Sequence, residues 1–456
     1  MSHPVARKVS AEVSVPKVAL ASSIGATIEW YDFFLYGTAS GLVFSKLFFP
    51  KFDPAVGVLA SFATFAVGYL ARPVGSLIFG HFGDRVGRKT MLILTLLIMG
   101  LGTFVIGVLP TYSAIGIWAP VLLVLMRVLQ GIGIGGEYGG AVLMAVEYAP
   151  AGRRGFFGSW PQVGVPAGLL LSSGVFAALS AWLPPGGFIA YGWRICFLVS
   201  VVLVAVGLYI RLQVLETPAF AEVRARQEQA KVPFAELVRR SPKELGLSLL
   251  TRWIEGLTYN AYSVLMVAFV VNRLHVQQGK ALLGVIIAAA IGMVVTPLYG
   301  ILSDRIGRKR VYGAGVVAVA VLAFPSFWAI QTGKVGWVWL GIIIPFGFGY
   351  FAIYAPLAAF WAELFDTRYR YTGVGSVYQF SGIYASGLTP LIGSVLIAVG
   401  GGSPWLFGAY LVVVAVISLV ATVFLPETYR RDIMPTASAP VVAEQEALGR
   451  SGRRRG

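Results

Sequence analysis

Charge is what this chain has least of. Only 12% of its 456 residues are Asp, Glu, Lys or Arg, about half the share of an ordinary soluble domain. Hydrophobic residues make up 57%, and the mean hydropathy is +0.77. Lipid is the solvent for such a composition. A single cysteine, Cys196, excludes a disulfide framework and a cysteine metal cluster. The three histidines, His3, His81 and His275, are too far apart for metal-ligand spacing, so neither a metal nor a cofactor is expected. No apolar core precedes Val18, so no cleaved signal peptide is expected either.

Long apolar runs are abundant. A membrane-spanning helix needs about 20 such residues. Runs near 18–45, 55–82, 90–109, 116–147, 156–182, 191–211, 246–272, 281–302, 311–330, 336–362, 371–399 and 404–425 predict twelve of them. The one long polar interruption, 213–245, divides six from six. The expected plan is a cytoplasmic tail (1–17), a six-helix bundle (18–212) and a central cytoplasmic loop (213–245) with short amphipathic helices. A second bundle (246–425) and a disordered cytoplasmic tail (426–456) follow.

Net charge is +16, which in a soluble protein would suggest nucleic acid. Where the positives lie decides otherwise. With the amino terminus inside, 28 Lys and Arg fall in cytoplasmic segments and six in outer ones. Arg72 and Arg127 are then the two placed within spans. Cytoplasmic loops collect Lys and Arg, so both termini are expected inside. The excess also attracts anionic lipid headgroups, and no nucleic-acid partner is needed.

One stretch is written twice. Residues 80–90 read GHFGDRVGRKT and 300–310 read GILSDRIGRKR. Gly80, Asp84, Arg85, Gly87, Arg88 and Lys89 recur 220 residues later as Gly300, Asp304, Arg305, Gly307, Arg308 and Lys309. Topology alone explains the basic residues but not the matched Asp and Gly. Fainter echoes pair Gly158, Ser159 and Gln162 with Gly375, Ser376 and Gln379. Glu147, Arg153 and Arg154 are likewise echoed by Glu363, Arg368 and Arg370. Two similar halves in parallel repeat place a substrate near the midplane between them.

These residues resemble the major facilitator superfamily of secondary transporters, of which the duplicated G-x-x-x-D-R-x-G-R-[RK] loop is a signature. IEWYDFFLYG (Ile28–Gly37), ARPVGSLIFGHFGDRVGRK (Ala71–Lys89), RVLQGIGIGGEYGG (Arg127–Gly140) and GWRICF (Gly192–Phe197) look like its metabolite:proton symporter branch. That branch includes shikimate, α-ketoglutarate, citrate and proline/betaine carriers. The resemblance spans the membrane region and is specific for fold and transport, weak for substrate. It implies an all-α membrane protein with twelve transmembrane helices in two pseudo-symmetric six-helix bundles. A monomer in a bacterial cytoplasmic (inner) membrane is expected. In that fold Asp84 would face the start of span eleven, near Thr372 to Gly375, and lock the cytoplasmic side, with Arg88 held by Glu147. Asp304 would act likewise at span five, near Gly155. The expected gate comprises Gly80, Asp84, Arg85, Gly87, Arg88, Glu147, Arg153, Asp304, Arg305, Arg308, Glu363 and Arg370. Osmolyte carriers of the branch often end in a coiled coil; no heptads follow Pro426.

Two other patterns are decoys. GIGIGG (131–136) fits a dinucleotide template but lies inside an apolar run with no strand before it. The spacing of Gly131, Gly135 and Gly139 instead lets helix backbones touch. GRKT (87–90) lacks the adjacent Gly-Lys of a phosphate loop.

Ionised groups at a bilayer centre cost roughly 2.5–3.5 kcal/mol on insertion scales, so each needs a partner, a proton or a wet cavity. Glu29 and Asp32 share a face of span one. Two carboxylates this close in low dielectric cannot both ionise cheaply, which suits a proton carrier; a static pair with Arg72 or Arg127 is the alternative. Arg127 shares a face with Gln130 and Tyr138, and its planar fork suits a carboxylate. Arg72 is a second candidate, or a structural clamp on Glu29 or Glu137. The second half reads as nearly free of buried charge, with Tyr259, Asn260, Tyr354 and Gln379 offering shape and hydrogen bonds.

The function expected is proton-coupled symport of a small organic acid by alternating access. Glu29 and Asp32 would take the proton. The substrate would meet Arg127, Gln130, Gln162, Arg72, Tyr138, Tyr259, Asn260, Tyr354 and Gln379. A zwitterionic osmolyte importer or an anionic-drug exporter would use the same fold. A sensor would want a folded cytoplasmic domain, and a membrane enzyme a metal or paired-carboxylate motif at one surface; the sequence has neither.

Overall fold

The computed structural model describes residues 15–431, apart from 87, 137, 148, 151, 214–232 and 367–368. For 15–19, 21–22, 80–92, 140–141, 144, 210–213 and 233 the description is of the backbone alone. Every regular element among the described residues is helical.

The first bundle contains α1 (15–48), α2 (Pro54–Val86), α3 (Arg88–Val108), α4 (118–147), α5 (Arg154–Trp182) and α6 (188–213). The second contains α7 (Pro242–Asn272), α8 (Gln278–Ile306), α9 (Arg308–Gln331), α10 (Val335–Leu364), α11 (Arg370–Val399) and α12 (Trp405–Phe424). Ten of the twelve are long and apolar enough to cross a membrane by length and composition. The exceptions are α1, which carries Glu29 and Asp32, and α3, whose apolar helix with described side chains is Ile93–Val108. Of the polar linker, Pro233–Arg240 is a short helix.

The repeat is visible in shape as well as in sequence. Both α1 and α7 open into a wide π turn, and the two turns start 221 residues apart, at Ser40 and Ala261. Such turns re-aim the side chains beyond them and often mark functional helices. The bundles meet along two matching seams, α5 against α8 and α2 against α11.

Glycine sets how closely helices approach. A Cβ at Gly131 would run into the backbone oxygen of Gly68, and one at Gly135 into that of Arg72. Thus α2 and α4 pack backbone to backbone, as the spacing predicts for these two positions. Gly139 differs and lies beside Tyr371 of α11. The reason is a break: α4 is helical over Trp118–Gly135, turns at Gly136 and resumes at Tyr138–Glu147. On the bundle seam, a Cβ at Gly300 would stand 2.6 Å from the Gly155 oxygen, so this matched glycine lets α8 close on α5. At the opposite end of the bundles, the side-chain amide of Asn272 in α7 donates to the Gly41 oxygen of α1 (2.8 Å).

The α2–α4 packing gives a direct test. Gly135→Ala should overpack the crossing, at about 1–3 kcal/mol or more, and lower the thermal midpoint in detergent by several degrees. Gly174→Ala in α5, where a Cβ meets nothing within 4 Å, should leave the midpoint unchanged. Equal midpoints for the two variants would contradict the close crossing.

Candidate functional site

Between the bundles lies a cavity of about 10 Å³, room for roughly one water molecule. From the first bundle it is lined by Trp30, Phe34, Tyr69 and Val165. The second contributes Arg252, Glu255, Tyr259, Asn260, Tyr350, Tyr378 and Ser386.

Arg252 and Glu255 were not foreseen. They sit one helical turn apart on α7, 3% and 2% exposed, and form an ion pair. The Tyr350 hydroxyl donates to Glu255 Oε1 (2.7 Å), and the Arg252 guanidinium lies over the Tyr378 ring at 4.5 Å. Two expectations are corrected by this pair: Arg72 and Arg127 are not the only two basic residues within the spans, and the second half is not nearly free of buried charge. The cause is how α7 is packed. It starts at Pro242, four residues before the predicted span, and 94% of its most apolar stretch is buried inside the protein. A helix surrounded by other helices need not be apolar to sit in a bilayer.

Arg72 stands beside the cavity. Its guanidinium is boxed by the rings of Tyr69 (4.1 Å), Phe33 (4.3 Å) and Trp30 (5.7 Å). It is fully buried, and none of its three nitrogens meets a protein hydrogen-bond acceptor. Among the described residues no ion pair clamps it to Glu29; Glu137 lies outside them. Rings stabilise a cation through their faces, but they leave every N–H unmatched.

Arg127 takes a different place. It is buried within the first bundle, over the Tyr36 (4.2 Å), Phe33 (4.6 Å) and Phe65 (5.1 Å) rings. It donates to Gln130 (3.2 Å), and Gln130 donates to the Thr103 hydroxyl (2.7 Å). Asp32, buried with neither oxygen hydrogen-bonded, is acted on by Thr103 and Glu29. So a polar string runs from Arg127 toward Asp32, with Glu29 half-buried one turn earlier on α1. Tyr138 has left the face of Arg127 and Gln130, because α4 breaks at Gly136. Its ring instead stacks on Tyr378 of α11, centroids 3.5 Å apart.

The predicted second-half residues divide. Tyr259 and Asn260 line the cavity, Tyr259 with a free hydroxyl and Asn260 with a free carbonyl oxygen. Tyr354 stacks on Tyr350 at 5.5 Å. Gln162 and Gln379 form two matching clasps across the bundles. Gln162 of α5 donates to the Tyr354 and Ala355 oxygens of α10 (2.9 and 3.1 Å). Gln379 of α11 donates to the Gly135 oxygen of α4 (3.0 Å). Each uses its one amide group on a carbonyl of the opposite bundle and keeps a buried oxygen unmatched.

A second cluster closes the end of the bundles that carries the duplicated loops. Asp304 accepts the N–H groups of Gly155 (2.8 Å) and Phe156 (2.9 Å) at the start of α5, where a helix offers free donors and partial positive charge. Arg308 bonds Asp304 (2.8 Å) and Glu363 (3.0 Å). Glu147 pairs with Arg370 across the seam (3.0 Å). Arg153 and Arg305 are exposed; the buried neighbour is Arg154, which donates to the Arg431 oxygen (2.7 Å). Of the first-half loop, Gly80, Asp84, Arg85 and Arg88 are described in backbone alone and Gly87 not at all. Their expected contacts therefore lie outside the described residues. The start of the tail corrects an expectation of disorder. Glu427 accepts the Arg308 and Lys309 N–H groups (2.9 and 3.1 Å), and Thr428 donates to Glu363 (2.7 Å). These contacts cap α9.

Two six-helix bundles in parallel repeat, with a charged cavity between them, define a membrane carrier. The chain belongs to the Major Facilitator Superfamily, whose family model matches residues 22–386. It is a multi-pass membrane transporter and not an enzyme. It is 37% identical to the shikimate transporter of Escherichia coli K12, covering 91% of this chain and 95% of that one. It is 38% identical to the inner membrane metabolite transport protein YhjE of the same strain (91% and 95%). Identity to that strain's proline/betaine transporter is 36% (91% and 84%). Among solved structures, a D-xylose-proton symporter superposes with a TM-score of 0.69 at 18% identity, over 90% of this chain and 98% of that one.

The clasps and Asp304 each bridge the two bundles. Replacing Gln162 and Gln379 together by Ala should lengthen the distance between spin labels at 153 and 305, two exposed positions on facing bundles, in a background lacking Cys196. An unchanged distance distribution would show that the glutamines do not hold this end shut.

Proposed function

We propose that the chain is a proton-coupled symporter that carries a small organic acid across a bacterial cytoplasmic membrane by alternating access, as a monomer with both termini inside. Arg72 carries the proposal. A guanidinium stays charged at any working pH, and one buried in the seam with no protein acceptor for any N–H calls for an anion. A carboxylate fits its fork with two parallel hydrogen bonds. Tyr259, Asn260 and Tyr138 would shape the rest of the site, while Glu29 and Asp32 take the proton. Arg127 and Gln130, bonded on to Thr103, would couple the anion site to Asp32 through space. Gln162 and Gln379, freed as the clasps part, would offer their oxygens and amides to the substrate. Asp304, Arg308, Glu363, Glu147 and Arg370 would gate the cytoplasmic side, with Asp84 and Arg88 as their first-half counterparts. Similarity to a shikimate transporter supports an organic acid, and similarity to proline/betaine transporters keeps a zwitterion as the competing cargo.

Uptake of labelled shikimate, α-ketoglutarate, citrate and proline by proteoliposomes decides among these. We expect one acid to accumulate when the outside is acidic and to leave when a protonophore is added. Accumulation that ignores the pH gradient and needs Na⁺ would refute the coupling. Preference for proline would move the cargo to the zwitterion. Arg72→Lys keeps the charge but loses the fork, so affinity for the accumulated acid should fall roughly ten- to a hundredfold, the equivalent of one charge-assisted hydrogen bond.

A further inference from the structure

The proposed function leaves unused the one ion pair that lines the cavity. Resting on that function, we propose that Arg252 and Glu255 form an exchange site at which a proton and a substrate carboxylate replace an internal salt bridge. In the closed, empty carrier Glu255 occupies Arg252. When Glu255 binds a proton from water its carboxylate becomes a neutral acid. Arg252 is released, and the substrate carboxylate takes its place.

The exchange conserves the charge of the pair. Empty, the pair sums to zero. Loaded, Arg252 is positive, the substrate carboxylate negative and Glu255 neutral, so the sum is again zero. Arg72 adds the same charge to both states. A proton without substrate leaves Arg252 unanswered beside Arg72, and a substrate that arrives while Glu255 is ionised finds Arg252 already taken and has only Arg72. Two unanswered guanidiniums side by side are strongly disfavoured where low dielectric magnifies each charge, so at this site each proton is accompanied by a carboxylate.

The surroundings are built for this. Arg252 reaches the cavity from the second bundle and lies over the Tyr378 ring, while Arg72 stands beside the cavity in the first, over the Tyr69 ring. A carboxylate between them would draw the bundles together. No second carboxylate faces the pair among the described residues. From α10 it meets the phenols of Tyr350 and Tyr354, and from α11 those of Tyr378 and Tyr384. Tyr312 of α9 turns its hydroxyl to a backbone oxygen of α7 (2.7 Å). On the first-bundle side stand Tyr69, Tyr138 and Arg72. Tyr259 is on α7 itself. Among the described residues Glu255 is thus the one carboxylate that lines the cavity.

The test is the pH dependence of binding of shikimate, α-ketoglutarate and citrate to purified protein, with net uptake and counterflow of whichever acid the wild type accumulates. Wild-type affinity should weaken by about tenfold per pH unit on the alkaline side, as one linked proton requires. Glu255→Gln is permanently neutral. It should bind as tightly as the wild type does in acid, with a flat pH profile, and keep counterflow while losing accumulation. A Glu255→Gln profile that retains the wild-type slope overturns the proposal, and a flat Asp32→Asn profile beside it would assign the exchange to α1. Wild-type uptake indifferent to the pH gradient would instead overturn the symport on which the proposal rests. Should Glu255→Gln fail to fold, Tyr350→Phe serves, since it removes a donor that favours the carboxylate form. Its profile should move to more alkaline pH, and an unmoved profile counts against the exchange.

Discussion

An ionised side chain in the middle of a bilayer must be answered by something, and this fold is arranged around three guanidiniums in that position. Arg127 is answered by Gln130 and aromatic faces within the first bundle. Arg252 is answered by Glu255. Arg72 has ring faces and no acceptor for its N–H groups. Arg252 thus has a carboxylate partner, while Arg127 has one amide acceptor and keeps Nε and Nη2 unmatched. On the proposed function the third is where the substrate anion binds, and a carrier differs from a static bundle in having such a place. Hydrophobic packing cannot supply this distinction, because lipid tails are as apolar as the helix faces they touch.

The duplication supplies contacts across the seam in matched pairs. Gln162 and Gln379 each reach a backbone carbonyl across the seam, from α5 to α10 and from α11 to α4. At the loop end the second-half Asp304 grips the start of α5, and Glu147 grips Arg370. These are a few charged or charge-assisted bonds on otherwise small-residue contacts, with Gly155 against Gly300 at the closest point. A closure made this way can open without disturbing either bundle's core. Alternating access requires that property.

Much of the architecture is legible in the chain itself. Apolar runs of helix length, the repeat at 220 residues and the glycine spacing of 131 and 135 all read directly into spans, halves and the α2–α4 crossing. The site was less legible. Arg252 and Glu255 lie near Lys243 and Glu244 in a stretch whose local composition looks like a loop end, and only neighbouring helices make it an interior. Regular helical spacing put Tyr138 with Arg127, and the turn at Gly136 undoes that periodicity. A signal for the turn was present in the glycine pair Gly135 and Gly136. For Gln162 and Gln379, the matched positions showed that they do the same thing in both halves without showing what. The capping of α9 by Glu427 had no signal, since a single acidic residue after a span has many possible partners.

All of this converges on one claim, that carboxylate and proton cross the seam as a neutral set. The most direct measurement is the zero-flux gradient in proteoliposomes: the ratio of inside to outside acid at which net movement stops, as the pH difference is varied with membrane potential clamped at zero. One proton per carboxylate predicts that this ratio changes about tenfold for each unit of pH difference. A ratio that stays at unity whatever the pH difference would contradict the account.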